Sequence, residues 1–155
     1  DPAMDWVTMG YPQLAQASGK YYFEVNLIEG AEAPQVGLAS KEFRLQPGAP
    51  STQGVGDCEY SWAVDGQSAI RWHRGEALVW GQTWPSQEGT RRLSAAVTVG
   101  VAVDLDQRCF YFSTDGQWDE KWWEFPAFNK DMIPAGREVF PVVSLKGRAS
   151  FDFGP

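Results

Sequence analysis

The sequence predicts an all-β protein, an antiparallel sandwich, and three observations predict it. Short runs alternate inward and outward residues, which is the period of a half-buried strand. Aromatic residues fill 14% of the 155 positions (eight Trp, nine Phe, five Tyr), and such side chains favour strands and bring large buried areas. Sixteen Gly and ten Pro supply turns between many short strands, while helical periodicity is almost absent.

Taken in order, Trp6-Val7-Thr8-Met9 reads as a first short strand and Gly10 to Ser18 as a loop, because Gly10 and Pro12 interrupt the longest helical candidate. In the next run Tyr21, Phe23, Val25 and Leu27 share one face, and Tyr22, Glu24 and Asn26 the other. Gln35-Val36-Gly37-Leu38-Ala39 follows. Lys41 to Gln53, with Pro47, Gly48 and Pro50, is the longest structureless connection, and loops of that length are usually functional or mobile. Tyr60 to Gly66 and the run Arg71-Trp72-His73-Arg74 read as strands, and a second long loop, Gly81 to Arg92, centres on Trp84-Pro85. Val99, Val101, Val103 and Leu105 line one face of the following strand; Phe110 and Phe112 then face away from Cys109, Tyr111 and Ser113. Asp104 to Gln107 joins those two strands as a hairpin, and Asp115-Gly116 is a turn signal. A third long loop, Gln117 to Arg137, holds Trp118, Trp122 and Trp123. These indoles are expected to cap the sandwich, since Phe125 and Phe128 continue the apolar pattern; an exposed patch for a partner is the alternative. Phe140 to Leu145 and Phe151 to Gly154 close the chain.

A globule of this length buries roughly 70% of its unfolded surface, enough for a full core. Residues 1–5 read as a cloning remnant and flexible start, and residues 6–155 as one domain cut from a longer protein. The net charge of −7 repels phosphate backbones and anionic lipid, so no nucleic acid and no membrane insertion is expected. No run approaches the ~20 apolar residues of a membrane helix. Cys58 and Cys109 are expected to be free structural thiols, which suits a reducing, cytoplasmic setting.

The residues offer little for catalysis. His73 is the single histidine and lies in a strand-like run with no nucleophile elbow, so a packed or surface role is expected. One His and two distant Cys make no zinc set, and Asp104, Asp106, Asp115, Asp119 and Glu120 lack calcium-loop spacing. Glu24 has no second acid beside it on its strand, as a retaining glycosidase needs, and Gly54-Val55-Gly56 lacks the continuation of a phosphate loop. No enzyme activity and no cofactor is expected.

The order of the motifs resembles a SPRY domain. Ser18-Gly19-Lys20-Tyr21-Tyr22-Phe23-Glu24-Val25 is similar to the opening strand of that family, and Val36-Gly37-Leu38-Ala39 to its second. Gly54-Val55-Gly56-Asp57 leading into Ser61 to Gly66 resembles the segment around its central tryptophan. Arg71 to Gly75 looks like the corresponding element in ryanodine receptors. Val99 to Asp106, Phe110-Tyr111-Phe112 with Asp115-Gly116, Phe140 to Leu145 and Phe151 to Gly154 complete the pattern from Trp6 to Gly154. Two departures stand out: Asp115-Gly116 replaces the usual Asn-Gly, and Gln117 to Arg137 is longer and more aromatic than the usual connection.

The resemblance implies a bent sandwich of concanavalin-like jelly-roll type and a non-catalytic protein-interaction module, as in ubiquitin-ligase adaptors. It would bind a peptide segment or surface patch of another protein through loops at one end. Carried over, those loops are Tyr11 to Gln16, Arg44 to Gln53 and Lys146-Gly147-Arg148, with Trp72 as a wall. The named candidates are Tyr11, Arg44, Ser51, Gln53, Trp72, Lys146, Gly147 and Arg148. Trp72 could instead point into the core, and the basic residues could be solvated loop charges. Trp62 is expected to be structural. An acidic or carbonyl-rich peptide suits the basic members, and the isolated domain is expected to be monomeric. Lectin-like carbohydrate binding and a fixed place in a larger assembly are the alternatives.

Overall fold

The computed structural model describes residues 6–43 and 54–154. Eleven strands form two antiparallel sheets, and a single 3-10 turn, Pro12–Leu14, is the only helical element among the described residues. In chain order the strands are β1 (Val7–Gly10), β2 (Lys20–Leu27), β3 (Glu32–Ser40), β4 (Ser61–Asp65), β5 (Ile70–His73) and β6 (Glu76–Val79). Then come β7 (Val97–Asp104), β8 (Cys109–Thr114), β9 (Gln117–Trp118), β10 (Val139–Lys146) and β11 (Ala149–Asp152). The six-stranded sheet runs β1-β10-β3-β4-β5-β6 and the five-stranded sheet β11-β2-β7-β8-β9.

Alternation fills the space between the sheets. Phe23, Val25 and Leu27 of β2, Val99, Val101 and Val103 of β7, and Phe110 and Phe112 of β8 meet Val36, Leu38, Trp62, Val64, Val143 and Leu145 from the other sheet in one buried cluster. The β8–β9 hairpin turns on Asp115-Gly116, both at positive φ (49° and 84°), as a two-residue turn matched to strand twist requires. Its second strand, β9, extends the sheet into what reads as loop in the sequence.

Long connections complete the core. Trp80 and Trp84 are buried, with Trp84 Nε1 donating to Thr114 Oγ1 at 3.1 Å. From the connection after β9 come Ala127, Phe128 and Ile133, all buried in the main cluster. Capping therefore falls to these residues, while Trp122, Trp123 and Phe125 stay exposed. A smaller cluster lies on the outer face of the six-stranded sheet: Ala39, Val55, Ala63, Phe140 and Val142, with Ala15 and Phe43 packed against it.

Candidate partner-binding surface

The residues that alternate with the core positions of β10, β3, β4 and β5 form the outer face of the six-stranded sheet. Register places Gly37 opposite Ala63 and Ala63 opposite Trp72, so this part of the face is mostly small, with one indole at its side. Small residues leave room for a covering turn, Gly54 to Asp57. That turn is closed by Asp57 N–H to the Gly54 carbonyl (3.1 Å) and by Gly54 N–H to Asp57 Oδ2 (2.6 Å). Val55 N–H donates to Ser144 Oγ of β10 at 3.0 Å, and Gly56 N–H to Ser61 Oγ at 2.7 Å. Gly56 itself lies against Trp72, where a Cβ would collide. The turn thus bridges from β10 to β5. Burial raises the Asp57 pKa above the usual carboxylate value, opposed by the Gly54 N–H.

Each anticipated site residue can be placed against this turn. Tyr11 N–H donates to the Pro141 carbonyl at 3.1 Å, but the ring turns away from the face. It meets Phe151 and Phe153 edge-on at 4.9 and 5.1 Å, closing the seam between β1 and β11. Pro12 of the same loop lines a shallow pocket with Lys41, Phe43 and Phe140. Arg44, Ser51 and Gln53 lie outside the described residues, which resume at Gly54 beside Trp6 and Ser144. Trp72 is half-buried on the outer face, three strands from β10 or about 14 Å at ~4.8 Å per strand.

Lys146 ends β10 opposite Glu32, with Nζ 3.8 Å from Glu32 Oε2. The other Glu32 oxygen accepts from Arg92 Nε at 2.6 Å, and these cations hold the Glu32 carboxyl below its usual range, Arg92 first. Gly147 sits at φ +132°, and a Cβ there would lie 3.0 Å from the Ala31 Cα, so the turn requires glycine. Arg148 is exposed and has no ion-pair partner among the described residues; its carbonyl accepts from Ile28 N–H. Pro141 and Lys146 are five positions apart on β10, about 17 Å at ~3.4 Å per residue. The Tyr11 and Lys146 loops therefore stand at opposite ends of β10, and the Gly54–Asp57 turn touches that strand between them.

Sequence reasoning missed that turn as an organiser. Its signal is an apolar Val55 held between two glycines. It also missed a cleft of about 640 Å³ between the free edges of β6 and β9, lined by Arg71, Val79, Trp80, Gln82, Trp118 and Asp119 among others. Arg71 donates to the carbonyls of Val79 (2.9 Å) and Ala127, and burial lowers its pKa, opposed by Asp119. Asp119 in turn accepts from Trp80 Nε1 at 3.2 Å and Gln82 Nε2 at 2.8 Å. These groups chiefly satisfy one another and fasten the connection after β9.

Among the described residues no group of three or more His, Cys, Asp or Glu converges as a metal set. Among the described residues no helix is long and apolar enough to cross a membrane. A protein-family model described as SPRY domain matches residues 20–154, nearly the whole chain.

Proposed function

The chain belongs to the SPRY domain family, whose members are in general protein–protein interaction modules, and from that premise we propose that it binds a short peptide or surface patch of a partner through the Tyr11–Gln16, 44–53 and Lys146–Arg148 loops. The observation that carries this reading is the Gly54–Asp57 turn. Bonded to Ser144 and seated against Trp72, it sets Gly54, the residue that follows the 44–53 segment in the chain, beside β10 between the other two loops. An extended segment of five or six residues spans that ~17 Å line at ~3.3 Å per residue. Exposed Arg148, without an ion-pair partner among the described residues, supplies positive charge for an acidic or carbonyl-rich partner on a protein of net charge −7, and Arg44 adds a second cation in the sequence of the 44–53 loop. The domain acts without chemistry of its own, as a monomer in the cytoplasm.

Random-peptide display on the wild-type domain, counter-selected on an Arg44→Ala/Lys146→Ala/Arg148→Ala variant, tests the site. A convergent motif lost on the variant is the expected result. Arg44→Ala with Arg148→Ala should weaken the selected peptide about tenfold or more, some 1.4 kcal/mol, with the melting temperature unchanged. Matching loss of stability would make the pair architectural. No enrichment on a folded wild-type domain would overturn the reading.

A further inference from the structure

We propose that the outer face of the five-stranded sheet, around Tyr22, Ala102 and Tyr111, is a second docking groove that takes a proline-rich segment flanked by Lys or Arg from a partner protein. Register aligns Tyr22, Ala102 and Tyr111 across β2, β7 and β8, so two tyrosines stand about 9.6 Å apart, at ~4.8 Å per strand, over a small floor. Gly100 extends that floor; a Cβ there would lie 2.6 Å from the Tyr22 hydroxyl. The groove has a volume of about 470 Å³, and Trp122 joins its wall. Trp122 meets Tyr111 edge-on at 5.3 Å and Trp123 edge-on at 6.0 Å, while Trp118 lies 5.8 Å from Trp122 and 6.1 Å from Tyr22. The rings pack edge-on or tilted into one contiguous aromatic surface. Tyr22, Trp122 and Trp123 are 46%, 39% and 62% exposed.

Hydrogen-bond inventory selects the occupant. The indole N–H groups of Trp118, Trp122 and Trp123 have no hydrogen-bond partner among the described residues, and neither has the buried one of Trp72 on the other sheet, whereas Trp6, Trp62, Trp80 and Trp84 all donate. The acceptors on the same face are each bonded at one oxygen, the carboxylates keeping further capacity at the rim. Glu24 accepts the Tyr22 hydroxyl at 2.8 Å, Asn26 the Thr98 hydroxyl at 2.9 Å, and Asp104 the Gln107 N–H at 2.9 Å. A surface with free indole donors and exposed aromatic faces, whose acceptors lie at its rim, suits a segment rich in carbonyls and poor in N–H groups with cations at its ends. A proline-rich polyproline II segment has that composition, exposes its carbonyls and loses little entropy on docking. Sugars bring as many donors as acceptors and would leave hydroxyls unmatched. Glu24 and Asp152 pair across β2 and β11, and Asp104, paired with Lys20, lies at the other side with Lys121 beside Trp122, so the acidic β2–β11 end of the rim favours a flanking cation.

The test is fluorescence anisotropy with a labelled Arg-(Pro)10-Arg peptide, an Arg-(Gly-Ser)5-Arg control, and competition by cellohexaose and chitohexaose. The proline peptide should bind at least tenfold more tightly than the control. Trp122→Ala and Tyr111→Ala should each weaken it tenfold or more, and the Arg44/Lys146/Arg148 triple variant should bind it unchanged. Should Tyr111→Ala fail to fold, Trp123→Ala at an exposed position replaces it. Equal binding of both peptides, absence of binding, competition by a hexasaccharide, or loss on the triple variant would each overturn the proposal.

Discussion

Trp62 shows how much one side chain can organise here. It is 1% exposed, its Nε1–H donates to the Met132 carbonyl at 2.9 Å, and Phe110 meets its ring edge-on at 5.4 Å. Trp62→Ala should cost about 3–5 kcal/mol in urea unfolding, because the transfer energy of the indole and the residual cavity add. A loss below ~1 kcal/mol would mean that the strand faces were misassigned. His73 stacks on the same indole at 5.2 Å and donates from Nδ1 to the Ser61 carbonyl at 2.9 Å. Burial, the leading cause, holds its pKa below the ordinary imidazole value, with the Ser61 bond opposing and Arg74 reinforcing. The unfolded chain therefore takes up the proton more readily than the folded one. This contribution to stability is full above the unfolded value near pH 6.5 and falls as pH drops through it toward the folded pKa. Unfolding free energies at pH 7.5 and 5.5 should differ less for His73→Gln than for the wild type; an equal difference would place the titration elsewhere.

Among the elements, the β3–β4 contact is the tightest. A Cβ on Gly37 would run into the Trp62 carbonyl oxygen and the backbone behind it, neither of which can swing aside. Gly37→Ala should thus cost at least the upper part of the ~1–3 kcal/mol overpacking range, or prevent folding. Gly100→Ala is the useful contrast. Its first obstacles are the Ser113 Oγ and the Tyr22 hydroxyl, the ends of side chains that can rotate, so the cost should be clearly smaller. Equal losses in thermal unfolding would show that Gly37 relaxes by moving β4. The connection after β9 is held by the same kind of local logic: Phe128 fills the core, and the Arg71 and Asp119 bonds fasten both sides of it.

For the molecule as an assembled sandwich, the two sheets must hold by burial, since both cysteines are free. Cys58 precedes β4 in one sheet and Cys109 opens β8 in the other, and stacked sheets lie ~10 Å apart, beyond the ~7 Å Cα separation a disulfide tolerates. The melting temperature should be the same with and without dithiothreitol. A native disulfide would be worth about 2–5 kcal/mol, so its reduction would lower the melting temperature by several degrees. The two outer faces differ in chemistry. One carries the Lys146–Arg148 turn with its basic residues, the other an aromatic field with an acidic rim, so the two proposed sites would lie on different faces of one frame.

Strand identity and facing were legible because the pleat is local: Phe23, Val25 and Leu27, or Val99, Val101 and Val103, alternate in the sequence and are buried together. The family resemblance likewise depended on motif order alone, and the family model matches residues 20–154. Loop tryptophans had no such pattern. Nothing local distinguishes Trp84, which Gly66 admits to the core, from Trp123, which stays outside, because the difference lies in a partner glycine eighteen positions away. The same holds for the site residues, since Tyr11 and Lys146 became neighbours or strangers only when β1 and β3 flanked β10 in antiparallel register. Periodicity therefore determined which residues each strand turns toward the space between the sheets, a property of adjacent residues. Which side chains share a surface was decided by long-range strand pairing, which joins residues up to 138 positions apart in the chain, Val7 with Leu145.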